Sequence, residues 1–442
     1  MATVPNSFPN SLDVSNPSSM NYAHSVSDKL AYFAAMLGYV LLLPPQLNLV
    51  VMGSTVPPYR IFLIVAAVFI ALSMIKGAFR FRWPDIAMIA AIGWICLAMS
   101  MTSETDEAIT GSAAHAIDIG FAYFFARLTI SSPRALRVFL LLILPGLLAL
   151  GILLAVEAVT HTHILQPIFA NITGAPFHYG STPRLGLLRA QGPFAHPILA
   201  GIFLASFLPL YWLAGLRDRA KFSGVFAAIC SIVTVSSATF LALAAGGFLL
   251  AYNWATERVE NISWRFLFML AAFGLFAAEI GTKSGSFSLL VRFASLNAMS
   301  AYNRVMIWEH GSQNVIDNPW FGIGYSDWAR PVWMGDSLDN FWLLTAVRFG
   351  VVPVLLFTFM VGSALIVLVL RSLRSSPLDA RLERGVAIAL AVFALGLISV
   401  SIWLSPLVWF FMLLGIAVSL GGTSANALMG SAPYELPEAK PA

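Results

Sequence analysis

Residues 136–159 read LRVFLLLILPGLLALGILLAVEAV, an apolar run with Arg137 near its start and Glu157 near its end. A helix rises about 1.5 Å per residue, so about 20 apolar residues cross the hydrocarbon layer of a bilayer. This stretch is long enough, and it is one of many. The same yardstick gives about twelve spans: Leu30–Leu49, Tyr59–Ile75, Pro84–Met101, Gly111–Leu128, Leu136–Val159, His196–Leu213, Phe222–Ser237, Ala238–Trp254, Phe266–Gly281, Leu338–Leu370, Gly385–Trp403 and Pro406–Leu420. The first is interrupted by Pro44-Pro45, and the tenth is too long for one crossing. Its front portion, Leu338–Gly350, reads as a half-helix preceding the crossing that starts near Pro353. Backbone broken in this way survives only where it is buried in protein or lines a wet cavity.

Composition agrees. The 442 residues are 59% hydrophobic and only 10% charged, against about 25% charged in a soluble domain. So few charges cannot coat a water-facing surface, and the expected fold class is an all-α polytopic membrane bundle. Residues 1–28, rich in Ser, Asn and Pro, read as a disordered cytoplasmic tail; 29–425 form a single membrane domain, and 426–442 form a second tail. Basic residues follow spans two, four, six and ten: Lys76, Arg80 and Arg82; Arg127, Arg134 and Arg137; Arg217, Arg219 and Lys221; Arg371, Arg374, Arg381 and Arg384. The acidic loop Glu104, Asp106, Glu107 follows span three. Positive residues stay inside, so both termini are read as cytoplasmic. The two long segments, 157–195 and 282–337, then lie outside.

Several chemistries find no footing. Cys96 and Cys230 both fall inside apolar runs, which argues against a disulfide or thiolate metal site. His161-Thr-His163 has metal-like spacing but no evident third ligand. There is no P-loop, no GxSxG, no dinucleotide fingerprint and no basic stripe for nucleic acid.

What remains lies in the two outer segments. RLGLLRAQGPFAHPILAG carries Arg184 and Arg189, a Gly192-Pro193 turn, and His196 at the mouth of the sixth span. An arginine near a membrane face either snorkels or grips phosphate oxygens with its planar fork. The second segment carries Arg292 and Arg304. After Arg304, the residues Val305, Ile307, Trp308, Val315 and Ile316 predict an amphipathic helix ended by Asn318-Pro319. Trp320, Phe321, Trp328, Trp333 and Trp342 form an aromatic belt or a surface for sugar rings. Asp336, Asp339 and Asn340 stand at the entry to span ten. Asp336 or Ser337 reads as a helix cap and Asp339 as a functional carboxylate, with Arg348 as its buried partner or a second phosphate ligand.

Three pieces of this sequence resemble the bacterial O-antigen ligase and O-antigen polymerase superfamily. They are Arg189-Ala-Gln-Gly-Pro-Phe-Ala-His-Pro, then Arg304 through Trp308 to Pro319-Trp-Phe-Gly-Ile-Gly324, and Asp339-Asn-Phe-Trp-Leu leading to Arg348-Phe-Gly350. The resemblance covers roughly Arg184 to Leu370. It implies an inner-membrane enzyme with its site facing the periplasm, taking a glycan from a polyprenyl diphosphate carrier. The acceptor would be a sugar, either a saccharide or a lipid-A core. Neither a nucleotide sugar, a metal nor another cofactor is implied. Carried onto this chain, Arg189 and Arg304 take the diphosphate and Asp339 stands at the base position. Arg184, His196, Arg292, Trp308, Asn340 and Arg348 are candidate substrate contacts. Many ligases have His before the Asn where this chain has Asp339, which leaves room for an exopolysaccharide polymerase. Two other classes compete: a multi-pass transporter or flippase of a lipid-linked substrate, which two superimposable halves would favour, and a non-catalytic envelope scaffold, which would leave the arginine and aspartate set unexplained.

Overall fold

Prolines punctuate the chain. Pro58, Pro84, Pro133, Pro197, Pro377 and Pro406 each sit in the first turn of a helix, where the missing N–H costs no intrahelical bond. The computed structural model describes residues 17–51, 54–77, 79–177, 183–259, 263–281 and 298–422, with side chains from residue 29 onward. Its first half contains α1 (Pro17–Val40), α2 (Pro58–Ile75), α3 (Trp83–Thr102), α4 (Thr105–His115), α5 (Ala122–Thr129), α6 (Pro133–Thr160) and α7 (Leu165–Thr173). Next come α8 (Pro197–Ala205), α9 (Phe207–Leu213), α10 (Asp218–Ile229), α11 (Ser237–Thr256) and α12 (Trp264–Gly281). The last five are α13 (Ala298–Asp317), α14 (Phe341–Phe349), α15 (Val351–Ser372), α16 (Pro377–Gly396) and α17 (Ser405–Leu420). A small antiparallel hairpin, β1 (Leu49–Val51) with β2 (Ser54–Val56), joins α1 to α2.

Six of these helices, α2, α3, α6, α11, α12 and α15, are long and apolar enough to cross a bilayer, and three shorter apolar helices accompany them. The chain is a helical, multi-pass membrane protein. α1 is already helical from Pro17 and ends at Val40. It therefore takes in residues 17–28 of the expected tail and stops short of Pro44-Pro45. Residues 1–16 and the expected tail 426–442 lie outside the described residues, as do 282–297 of the second outer segment. The tenth apolar stretch is broken as its length requires, at Gly350 between α14 and α15.

α17 is the axis: every one of its residues is buried. It packs on α5, α15 and α16, and its Trp409 stacks on Phe207 at 4.6 Å and Phe139 at 6.0 Å. The buried indole N–H donates to Ser206 Oγ at 2.9 Å. Close to this core lies a buried charge network. Asp85, fully buried, takes both arms of Arg127 at 2.8 Å, the Tyr123 hydroxyl at 2.7 Å and the Arg82 backbone N–H at 2.8 Å. Away from water such a carboxylate is tolerated only because every lone pair is used.

At Gly350 (φ 81°, ψ 179°) two backbones interlock. A Cβ there would lie 1.7 Å from the Trp320 carbonyl oxygen, and one on Gly322 would lie 2.4 Å from that of Val347. Ile323 N and Gly324 N then donate to Val347 O and Arg348 O, and Val351 N to Pro319 O. The Pro319–Gly324 turn is thus sewn onto the end of α14.

Removing the Asp85 carboxylate leaves the Arg127 guanidinium and the Tyr123 hydroxyl buried without it. Asp85→Ala is expected to cost about 3–5 kcal/mol, read as a fall in the unfolding temperature of the detergent-solubilised protein. An unchanged temperature would show the network to be dispensable.

Candidate functional site

The loop between α7 and α8 is held from beneath by side chains that accept and donate in turn. Glu157, fully buried in the last turn of α6, accepts Ile164 N through Oε1 at 3.0 Å. Its Oε2 accepts Gln191 N at 3.2 Å and Gly192 N at 2.9 Å, with His163 Nδ1 at 3.6 Å. Gln166 completes the clamp, donating through Nε2 to the carbonyls of Gly192 and Phe194 while accepting from Gln46 at 3.1 Å. Just before this loop, Arg184 and Leu187 exchange both backbone hydrogen bonds at 3.0 Å around Leu185 and Gly186, both at positive φ. That is the geometry of a tight hairpin turn whose twist suits the flanking strands.

Clamp and hairpin together set the position of Arg189. Its side chain is buried, 6% exposed, and its Nε and Nη2 have no hydrogen-bond partner among the described residues. Burial pulls its pKa down to about 10, and Arg184 adds to the effect; it still carries its charge at neutral pH. Arg304 comes from α13 and is equally buried, 7% exposed. Burial lowers its pKa too; Asp339 opposes that and Arg184 reinforces it. His196 caps α8, its Nδ1 accepting Ile198 N at 3.2 Å. Burial lowers its pKa to about 4, Arg189 and Arg184 pushing the same way and Asp339 against. Arg184 therefore acts on Arg189, His196 and Arg304, and Asp339 on the last two. Five residues drawn from two distant stretches of sequence share one electrostatic neighbourhood.

Asp339 is half-buried and accepts the Ser337 hydroxyl at 2.6 Å. Among the described residues no arginine forms an ion pair with it. Its oxygens are thus open to a further donor, while Arg304 stays close enough to feel its field.

Other expected positions fall elsewhere. Asn340 is the cap of α14, its Oδ1 accepting Leu343 N at 3.0 Å; the cap expected of Asp336 or Ser337 is made here. Arg348 does not partner Asp339. Its Nη1 donates to Gly324 O at 3.2 Å and its guanidinium lies over the Tyr325 ring at 4.9 Å, which fixes the interlocked turn. The amphipathic helix exists as α13 and ends before Pro319, with Ile307 buried and Trp308 exposed. The aromatics do not form one cluster: Trp320 and Trp333 are exposed, Trp328 is buried with its N–H on Asp336 O, and Phe321 stacks on Trp94 at 5.4 Å. Arg292 lies outside the described residues.

Sequence reasoning missed the clamp. Glu157 stands out as an acidic residue at the end of an apolar run, which was the available signal; Gln166 and Gln46 had none. A second polar knot also went unseen. Asp118, on a π-helical turn (Ala116–Phe121), takes Arg60 through two bonds at 2.8 and 2.7 Å. No protein-family model matches this sequence, and no curated protein matches it.

The clamp makes a prediction about accessibility. Glu157→Gln turns one acceptor into an NH2 that faces backbone N–H groups, so the Gln191–Gly192 turn loses its anchor. Arg189 in the variant is expected to react with phenylglyoxal at least about tenfold faster than in the parent, because a buried hydrogen bond to a charged group is worth about 1.5–3 kcal/mol. Equal labelling, read by mass spectrometry, would mean the loop is held by packing alone.

Proposed function

We propose that this protein is a membrane glycosyltransferase. It moves a glycan from a polyprenyl (undecaprenyl) diphosphate carrier to an acceptor sugar at the periplasmic face of a bacterial inner membrane, as an O-antigen ligase or a polymerase of O-antigen or exopolysaccharide does. The observation that carries this reading is Arg189: a buried guanidinium with two unpartnered nitrogens among the described residues, in the same neighbourhood as Arg184 and Arg304. Buried like charges repel, and gathering them makes sense mainly where an anion joins them. A diphosphate ester satisfies that need, and its acceptor oxygens suit the planar arginine fork.

The chemistry then follows. The acceptor hydroxyl oxygen attacks the anomeric carbon of the lipid-linked sugar, the bond from that carbon to the phosphate oxygen breaks, and the diphosphate leaves with the electron pair. Arg189 and Arg304 stabilise the charge growing on the leaving oxygen, as an oxyanion hole would. Asp339, with no ion pair to an arginine among the described residues, accepts the hydroxyl proton. The finer topology belongs to the same proposal: about twelve spans, cytoplasmic termini, and the segments 157–195 and 282–337 outside.

Purified protein in liposomes with a synthetic polyprenyl-diphosphate glycan and a sugar acceptor is expected to form covalent product without an energy source; a flippase or transporter would form none. Asp339→Asn keeps size and removes basicity, so turnover is expected to fall by about two orders of magnitude or more while donor binding persists. A fully active Asp339→Asn enzyme would remove Asp339 from the chemistry. The orientation is checked separately: a reporter fused after Asn318 is expected to be active only in its periplasmic form, and cytoplasmic activity would sink the topology and the site together.

A further inference from the structure

One nitrogen of the His196 ring is already committed. Nδ1 accepts the Ile198 backbone N–H at 3.2 Å, because His196 occupies the cap position of α8. An accepting nitrogen carries no proton, so the neutral ring must hold its proton on Nε2. A second proton would set N–H against N–H and undo the cap. The charged neighbours are Arg189 and Arg184, which oppose that second proton, and Asp339, which favours it; the Trp403 ring lies 6.4 Å away. With Nδ1 fixed, the one polar atom left to the ring is the Nε2–H donor.

We propose that His196 serves this site as a neutral hydrogen-bond donor, its Nε2–H directed to a diphosphate oxygen of the lipid-linked substrate, and that it takes no part as a base. The inference rests on the reading of the arginine neighbourhood as a diphosphate site. It also has a chemical logic. Arg184, Arg189 and Arg304 already supply three positive charges, and a fourth would add repulsion among them and hold the departing diphosphate too tightly. A neutral donor adds a directed hydrogen bond without either cost.

Two substitutions separate cap from donor. His196→Asn keeps both functions, since its Oδ1 can accept Ile198 N while its amide NH2 donates. His196→Ser keeps the cap but is too short to reach the ligand. Binding of inorganic diphosphate to the full-length protein in detergent is measured by calorimetry at pH 7.5. The Asn variant is expected to stay within about threefold of the parent, and the Ser variant to weaken by at least about tenfold, the worth of a hydrogen bond to a charged group. Both variants are expected to keep the parent's unfolding temperature. Equal affinities for Asn and Ser would overturn the donor role alone, whereas no diphosphate binding by the parent would overturn the anion site and this inference with it. A ligand-free measurement decides the protonation state: in the 15N-histidine spectrum, the resonance pair missing from His196→Asn is expected to show the Nε2–H neutral form at pH 6. A proton on Nδ1, or a titration midpoint near the ordinary histidine value of about 6.5, would refute it.

Discussion

The course of the loop that carries Arg189 depends on one buried carboxylate. Glu157 ends α6, the longest apolar helix, and spends its lone pairs on the backbone N–H groups of Ile164, Gln191 and Gly192. A rigid helix thereby dictates where a loop runs, and the loop dictates where Arg189 points. Catalytic positioning demands tolerances of a fraction of an ångström, which loops do not supply unaided. The glutamate, with Gln166 donating to the neighbouring carbonyls, turns an irregular segment into an extension of the helix.

The treatment of arginine elsewhere in the molecule makes Arg189 conspicuous. Arg127 is matched to Asp85, Arg60 to Asp118, Arg371 to Glu383, Arg137 to Asp379 and Arg384 to Glu257. These pairs join segments distant in sequence, and in the Arg127–Asp85 and Arg371–Glu383 pairs both charges are largely buried, where an unpaired charge is costly. At Arg189 burial is kept and the carboxylate is withheld. A structural arginine would have been given a partner. Asp339 is treated in the complementary way, near enough for its field to reach Arg304 and His196, yet left outside any arginine ion pair among the described residues.

Hydropathy made the helices legible because it depends on local composition: six of the described helices are long and apolar enough to span a bilayer, and the over-long tenth stretch breaks at Gly350. Arg184, Arg189, His196, Arg304 and Asp339 were legible as residue types at odds with their surroundings. Their convergence was not, since it depends on tertiary packing over more than a hundred positions. Asn340 and Arg348 carry a role that the sequence did not show. Both looked chemical in the sequence, and both also serve the backbone: one caps α14 and the other donates to Gly324 O. Counting which backbone groups need partners, rather than which side chains look reactive, separates these cases, and that count requires the fold.

α12 has a consequence of a different kind. None of its apolar window is buried within the protein, so its depth and tilt are set by lipid rather than by neighbouring helices. At 18 residues it is about 27 Å long, slightly short of a typical hydrocarbon layer of about 30 Å. The chain that leaves its end leads into α13, which carries Arg304. A thicker membrane is accommodated around so short a helix by local thinning of the bilayer or by snorkelling of its flanking residues, at a modest cost per ångström of mismatch. The acyl-chain length of the surrounding lipid therefore bears on α12 more directly than on the other apolar helices, whose windows are partly buried in protein.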